Sequence, residues 1–150
     1  MKKAPRTALR LTTFSGIAML FLTATLALGA EPVCSQATMN GTYVTSGSGT
    51  LSAGSTGSAS MVQVGKVTYD GRGNGQAKFT QSAGGVTQRG TGTGTYTVNS
   101  DCTGSKNFGG AGGVDYDFVI TADGREIVWI ITNSGMVVSG RAVRLDNSRN

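Results

Sequence analysis

The sequence predicts an all-β protein, a small antiparallel meander barrel of about eight strands preceded by a signal peptide helix. Two observations favour this fold class. All but two of the 24 glycines follow residue 30, where threonine, serine and valine are also abundant, and this composition disfavours helix. The same region consists of short alternating polar and apolar runs separated by turn signals, which is typical of β-sandwiches and barrels.

The start of the chain has the composition of a secretory signal peptide. Four basic residues precede an uncharged apolar stretch, and small side chains at Ala27 and Gly29 suit a signal peptidase. A retained membrane span is the alternative, but threonine, serine and glycine dilute the stretch, whereas a span needs roughly 20 well-filled apolar positions. We predict that residues 1–30 are a cleaved signal peptide and that no transmembrane span remains. Residues 31–150 then form one barrel domain, exported to the periplasm or the extracellular space.

The signal peptide carries much of the positive charge. It contains four of the 13 basic residues, whereas all eight acidic residues follow it, so its removal leaves a nearly neutral domain. The remaining basic residues are scattered along the chain. This pattern argues against nucleic acid as a partner.

Cys34 and Cys102 are the only two cysteines of the chain. In an oxidising compartment such an isolated pair usually bonds, and closing the long loop between them stabilises a fold by roughly 4 kcal/mol. A redox or metal-binding pair is the alternative, but the chain has neither a Cys-x-x-Cys spacing nor another soft ligand nearby. We therefore predict a disulfide.

Turn signals divide the domain into hairpins. The clearest hairpin has strands at 64–69 and 76–81 joined by residues 70–75, whose Asp-Gly and Asn-Gly pairs tolerate the positive φ angles of tight turns. A meander of three further strands is predicted at 116–121, 126–132 and 136–145. Together these segments favour sequential antiparallel pairing.

Two stretches depart from this pattern. Residues 45–60 are mostly glycine, serine, threonine and alanine, which predicts a weak strand or a mobile loop. Residues 126–132 are apolar on both faces, because Val128 and Ile130 alternate with another apolar set. A strand of this kind is either covered on both sides or faces a partner.

Residues 87–98 place glycines on one strand face and threonines on the other. Glycines in a strand mark a bend or a close approach by a bulky group. The candidate bulky partners are Trp129, Tyr43, Tyr69 and Phe118. Because a small barrel with aromatic side chains opposite a bare face suits an apolar or aromatic ligand, we predict four ligand-binding residues: Tyr43, Tyr69, Tyr96 and Trp129.

Two patterns near the cysteines resemble a known group of sequences. They are Cys34-Ser35-x-Ala37-Thr38-x-x-Gly41-Thr42-Tyr43 and Gly94-Thr95-Tyr96-Thr97-Val98-x-x-Asp101-Cys102-Thr103-Gly104. Together they resemble a group of small uncharacterised exported bacterial proteins, and this resemblance implies no activity. More loosely, the strand count and the glycine-rich meander are similar to calycin-like and allene oxide cyclase-like β-barrels, which implies the architecture but no binding residues.

Catalytic side chains are scarce. The chain has no histidine, which excludes Ser-His-Asp and Cys-His catalysis and imidazole metal sites. Asp115 and Asp117 share one strand face, either as a carboxylate site or, as we prefer, as a solvent-facing pattern. Arg141 and Arg144 are predicted at the surface, because an arginine inside a barrel needs a carboxylate or a polar ligand. We predict no catalytic residue, no metal site and no cofactor.

The leading hypothesis is an exported, non-enzymatic barrel that binds a small apolar or aromatic ligand. The alternative is a structural or interaction protein of the cell envelope with a fully packed barrel, which self-associates or docks on an envelope protein through residues such as Val128 and Ile130. A third hypothesis is a cyclase-like barrel enzyme, which mainly shapes a reactive substrate and needs few catalytic groups. An interior cavity would separate the first hypothesis from the second.

Overall fold

Eight strands follow one another along the chain in the computed structural model, which describes residues 33–52 and 57–145. A 3-10 turn at Gln36–Thr38 precedes β1 (Asn40–Ser52), β2 (Ser58–Asp70), β3 (Asn74–Ala83), β4 (Val86–Val98), β5 (Thr103–Phe108), β6 (Val114–Ile120), β7 (Glu126–Ile131) and β8 (Met136–Arg144). Each strand pairs antiparallel with the next, and β8 pairs with β1, so the sheet closes into a barrel. The predicted all-β meander barrel of about eight strands is confirmed. The predicted signal peptide, residues 1–30, lies outside the described residues.

The hairpin predicted around residues 70–75 joins β2 to β3. The carboxylate of Asp70 accepts hydrogen bonds from the backbone N–H groups of Arg72 and Asn74, at 2.8 and 2.9 Å, and from the Asn74 side chain at 2.8 Å. These bonds, the one from the Asn74 side chain foremost, lower the pKa of Asp70 to about 2. The turn is therefore fixed by local side-chain chemistry of the kind that Asp and Asn supply.

Strict alternation along each strand separates the barrel interior from the outer face. In β7, Ile127, Trp129 and Ile131 are buried, whereas Val128 and Ile130 are 55% and 49% exposed. The expectation that both faces of this strand are covered within the chain is wrong. A single-layered barrel has one interior, so the outer face of β7 is not covered by the described residues, and the alternative that this face contacts a partner stays a prediction.

A regular strand occupies much of the stretch where the sequence predicted the weakest structure. Residues 45–52 continue β1, which pairs along its length with β2 on one side and β8 on the other. Gly47 faces inward beneath the Trp129 ring, where a Cβ atom would clash with the indole. The expected weak strand or loop is therefore wrong for residues 45–52, because small residues here make room for interior rings. Residues 53–56 of that stretch lie outside the described residues.

The glycine face of β4 does receive aromatic rings, but not the predicted ones. A Cβ at Gly90 would lie 2.8 Å from the Phe79 ring, and one at Gly94 would lie 2.9 Å from the Phe108 ring. A Cβ at Gly92, between them, would meet no obstructing atom within 4 Å, so the space beside this residue is open. The predicted Trp129 instead covers inward-facing glycines of β1 and β8.

Residues 33–39, which precede β1, close the barrel end at which β1 begins. We call these residues the plug and this end of the barrel the plugged end. Met39 is fully buried there, and its carbonyl oxygen accepts a hydrogen bond from the Tyr96 hydroxyl at 3.0 Å. Cys34 and Cys102 form the predicted disulfide, which ties this segment to the turn between β4 and β5. Within residues 33–52 and 57–145, no helix is long and apolar enough to cross a membrane.

Candidate functional site

The interior of the barrel is not completely filled. A cavity of about 240 Å³ lies between the middle of the barrel and the end opposite the plugged end. Its wall is mainly apolar and includes Val67, Ala77, Phe79, Phe108, Val114 and Trp129. Larger grooves of about 690 and 620 Å³ lie on the outer face, where exposed residues such as Val128 and Val44 line them. The interior cavity is the better candidate, because ligand sites in small barrels are enclosed and mostly apolar.

Gly92 gives this cavity part of its volume. It lies in the cavity wall, and a Cβ atom built there would meet no obstructing atom within 4 Å. The flanking inward positions Gly90 and Gly94 are covered by rings, so they contribute no comparable space. The absence of a side chain at Gly92 therefore leaves room for a bound molecule.

A lysine lies inside the barrel beside this cavity. Alternation along β5 turns Gly104, Lys106 and Phe108 inward, and Lys106 is only 7% exposed. In the sheet register it lies between Tyr96 of β4 and Tyr116 of β6. Lys106 is the one basic residue of the cavity wall, and Tyr116 and Trp129, the two rings whose centroids lie nearest to its amine, line the cavity as well.

Aromatic rings surround the Lys106 amine. Its Nζ lies 4.8 Å from the ring centroid of Tyr116, 5.6 Å from that of Trp129, 5.9 Å from that of Tyr69 and 6.0 Å from that of Phe118. We call these four rings the aromatic cage. Nζ also donates a hydrogen bond to the Tyr69 hydroxyl at 3.2 Å. Among the described residues no carboxylate forms an ion pair with Lys106.

Burial without a carboxylate changes the acidity of this amine. Desolvation lowers the pKa of Lys106 from 10.5 to about 7. Ring faces favour the charged form, but a cation–π contact contributes about 2 kcal/mol when desolvated, whereas burying an ammonium ion costs several kcal/mol. Three of the four ring centroids lie 5.6–6.0 Å from Nζ, near the limit of a cation–π contact, so desolvation is the larger effect and the amine exchanges its proton near neutral pH.

The predicted tyrosines pack together at and above the plugged end. Tyr43 contacts Tyr69 edge to face with ring centroids 5.6 Å apart, and Tyr69 contacts Tyr96 in the same way at 5.2 Å. The Tyr43 hydroxyl donates to the Gly124 carbonyl oxygen at 2.6 Å. These three rings form the floor of the interior, below the cavity wall. Of the four predicted ligand-binding residues, Trp129 lies in that wall.

The phenols around Lys106 are neutral at physiological pH. Burial is the main cause that raises the pKa of Tyr69 and of Tyr116 above the usual value, and the same cause raises the pKa of Tyr96. A phenol with a raised pKa keeps its proton throughout the neutral range. Lys106 is therefore the group of this cluster that titrates near pH 7.

The comparisons with known proteins identify no family. No protein-family model, curated protein or solved structure matches the chain. The resemblance to small exported bacterial proteins and to calycin-like barrels stays a prediction. The site is therefore interpreted from its own geometry.

The other candidate groups lie on the outer face. Asp115 and Asp117 are exposed, and Asp115 accepts a hydrogen bond from the Asn107 side chain at 2.7 Å. Arg141 is exposed and forms an ion pair with Glu126 at 2.8 Å. In the part of the chain that the structure describes, no group of three or more His, Cys, Asp or Glu residues is placed to hold a metal ion. The exposure of Asp115, Asp117 and Arg141 confirms the solvent-facing interpretation for these three residues. Arg144, also predicted at the surface, is only partly exposed, and its side chain lies beside Gly41 and Gly124.

The sequence contained a signal for Lys106 that the prediction missed. Gly104, Lys106 and Phe108 share one face of a short strand, and the aromatic member indicates that this face is the interior one. A lysine on such a face is unusual, since lysine is almost never fully buried without a partner. This strand has only six residues, too few to establish an alternating pattern, and its lysine therefore resembles the other scattered basic residues.

Proposed function

We propose that this protein is an exported, non-enzymatic barrel that binds one small, mainly apolar ligand in its interior cavity. The observation that carries the proposal is the open space of about 240 Å³ beside Gly92, walled by apolar and aromatic side chains. Interiors of folded proteins are close-packed, with few voids larger than a water molecule. This space is mainly apolar and partly open to solvent, which suits the entry and binding of one small ligand.

The disulfide supports the exported part of the proposal. Disulfides persist in oxidising compartments such as the periplasm and the extracellular space. Cys34 is only 4% exposed, and its disulfide with Cys102 holds the plug in place. A stable plug at one end leaves the other end as the route by which a ligand enters.

The alternative of a fully packed interaction barrel is less well supported, because the interior contains a cavity. Its apolar outer residues are present, since Val119 and Val128 pair across β6 and β7 and are each 55% exposed. Sedimentation of the domain at high concentration tests this alternative, and a strict monomer would contradict self-association.

The Gly92→Leu substitution tests the ligand-binding proposal. A leucine side chain at this position would occupy the open space, so we expect the binding of an apolar probe, 3-phenylpropanol, to be lost while the barrel still folds. Thr93→Leu is the matched control, since Thr93 is the exposed neighbour on the same strand. Isothermal titration calorimetry measures the affinity, and circular dichroism checks the fold.

The expected result is binding to the wild type and to Thr93→Leu but not to Gly92→Leu. Equal binding to all three proteins would place the probe outside the cavity and contradict the proposal. A wild type that binds neither this alcohol nor the corresponding acid, 3-phenylpropanoate, would contradict it as well.

A further inference from the structure

Lys106 is an ammonium site whose counter-ion is missing from the described chain. Burial removes this amine from water, and its hydrogen-bond acceptor is the single phenol oxygen of Tyr69 at 3.2 Å. An ammonium group has three donors. The aromatic cage stabilises the charge only in part, because cation–π contacts are weaker than the cost of burial. An anion in the adjoining cavity would supply what the protein lacks.

The cavity wall limits the rest of the ligand. Away from Lys106, Phe79 and Phe108 provide apolar ring surface, and Gly92 provides open space. An apolar cavity of about 150 Å³ is enough to bind benzene. The cavity of about 240 Å³ therefore accommodates one ring together with a short chain and a small polar end.

We infer that Lys106 binds the carboxylate of a small apolar acid, such as a single-ring arylalkanoate, whose apolar body lies between the phenyl rings and Gly92. This inference rests on the proposed function, because it requires that the cavity accept a ligand. A carboxylate paired with a lysine ammonium forms a charge-assisted hydrogen bond, which is shorter and stronger than a neutral one. The pair is further strengthened by the low dielectric of the interior.

The affinity of such an acid depends on pH in a defined direction. The titratable groups that face Lys106 are Tyr69 on β2, Tyr96 on β4 and Tyr116 on β6, and all three keep their protons near neutral pH. Burial lowers the pKa of Lys106 to about 7, so the ligand-free amine is charged below this pH and neutral above it. A bound carboxylate favours the charged amine, and binding above pH 7 therefore takes up a proton. We expect the affinity for the acid to fall by about tenfold per pH unit above 7.

Calorimetry with two matched probes tests the inference. The acid 3-phenylpropanoate and the alcohol 3-phenylpropanol have similar shapes and differ in charge. At pH 6 we expect the wild type to bind the acid at least tenfold more tightly than the alcohol, and we expect the acid affinity alone to fall between pH 7 and pH 9. The substitution Lys106→Met should abolish both the preference and the pH dependence while keeping the alcohol affinity. Lys66→Met, which removes an exposed lysine of β2, should preserve the wild-type behaviour.

The possible failures are distinguishable. If both probes bind equally and Lys106→Met changes neither affinity, the cavity binds ligands without an anion site, so the inference is wrong and the proposed function stands. If the acid is preferred but Lys106→Met keeps that preference, another group binds the carboxylate and the inference is again wrong. If neither probe binds at any pH, both the inference and the proposed function are contradicted. The pH series on the wild type tests the inference even where a variant is poorly folded, because an acid affinity that does not fall between pH 7 and pH 9 would contradict it.

Discussion

At the scale of single residues, Lys106 combines two properties that rarely occur together. It is almost completely buried, and no carboxylate among the described residues compensates its charge. Burying an ammonium group costs several kcal/mol, and a methionine in the same place would avoid this cost. The binding role proposed above would account for a residue that is costly to the fold.

This cost predicts an unusual dependence of stability on pH. Below pH 7 the amine is charged in both the folded and the unfolded chain, and the full cost of burying the ammonium is present. Burial lowers the pKa of folded Lys106 to about 7, so above this pH the folded amine releases its proton while the unfolded one keeps it. The free energy of unfolding should then rise by up to about 1.4 kcal/mol per pH unit between pH 7.5 and 9.5.

Urea unfolding of the ligand-free protein at several pH values measures this slope. The Lys106→Met variant should lack the slope and be more stable than the wild type at pH 6 by roughly 1–4 kcal/mol. Lys66→Met should retain the slope, because its lysine is exposed. A wild type whose stability is flat or falls over this window would show that the buried amine keeps its proton.

At the scale of strands, inward glycines decide where the large rings lie. Gly140 of β8 and Gly47 of β1 are register partners, and both face the Trp129 ring. A Cβ at either position would overlap the indole. Gly92 of β4 faces open space instead. Inward glycines therefore have two opposite roles. Gly47 and Gly140 make room for the Trp129 ring, whereas Gly92 leaves space unfilled.

This difference predicts opposite effects of the same small substitution. Gly140→Ala should destabilise the barrel by about 3 kcal/mol, because overpacking forces the ring or the backbone to move. Gly92→Ala should be neutral or stabilising by up to about 1 kcal/mol, since alanine loses less chain entropy and meets no obstruction. Thermal or urea unfolding of both variants measures the difference. Equal effects at the two positions would contradict the assigned roles.

Alternation and turn chemistry predicted the strands well, since a half-buried strand has a period of two residues and a tight turn needs particular residue types. The same rules failed for residues 45–52, because small residues that usually indicate a loop here accommodate the Trp129 ring. They also could not distinguish Gly92 from Gly90 and Gly94. That difference depends on which rings lean toward each position, and this is set by the packing of neighbouring strands rather than by the glycines themselves.

At the scale of the whole molecule, the barrel is closed in two ways. The pairing of β1 with β8 removes free sheet edges, which protects a β protein from edge-to-edge association. The Cys34–Cys102 disulfide then holds the N-terminal segment across the plugged end. The sequence predicted this bond from cysteine count and compartment, but its position over the tyrosine floor follows only from the fold.

The disulfide should contribute substantially to stability. It closes a loop with a sequence separation of 68 residues, so its loss is expected to lower the free energy of unfolding by about 4 kcal/mol. Urea unfolding with and without a reductant measures the effect, with mass spectrometry to verify reduction. The double variant Cys34→Ser, Cys102→Ser is the control and should not respond to reductant. A wild type that is verified as reduced and equally stable would contradict the expectation.

Trp129 lies in the cavity wall and is a natural fluorophore. It is the only tryptophan of the chain, its Nε1–H donates to the Thr45 hydroxyl at 3.2 Å, and its ring centroid lies 5.6 Å from the Lys106 amine. The intrinsic tryptophan fluorescence of the protein therefore originates at the cavity wall. Gain or loss of a proton on Lys106, or the arrival of a ligand, changes the electric field at this one indole. The candidate site thus contains its own optical probe, so that both events can be followed without any added label.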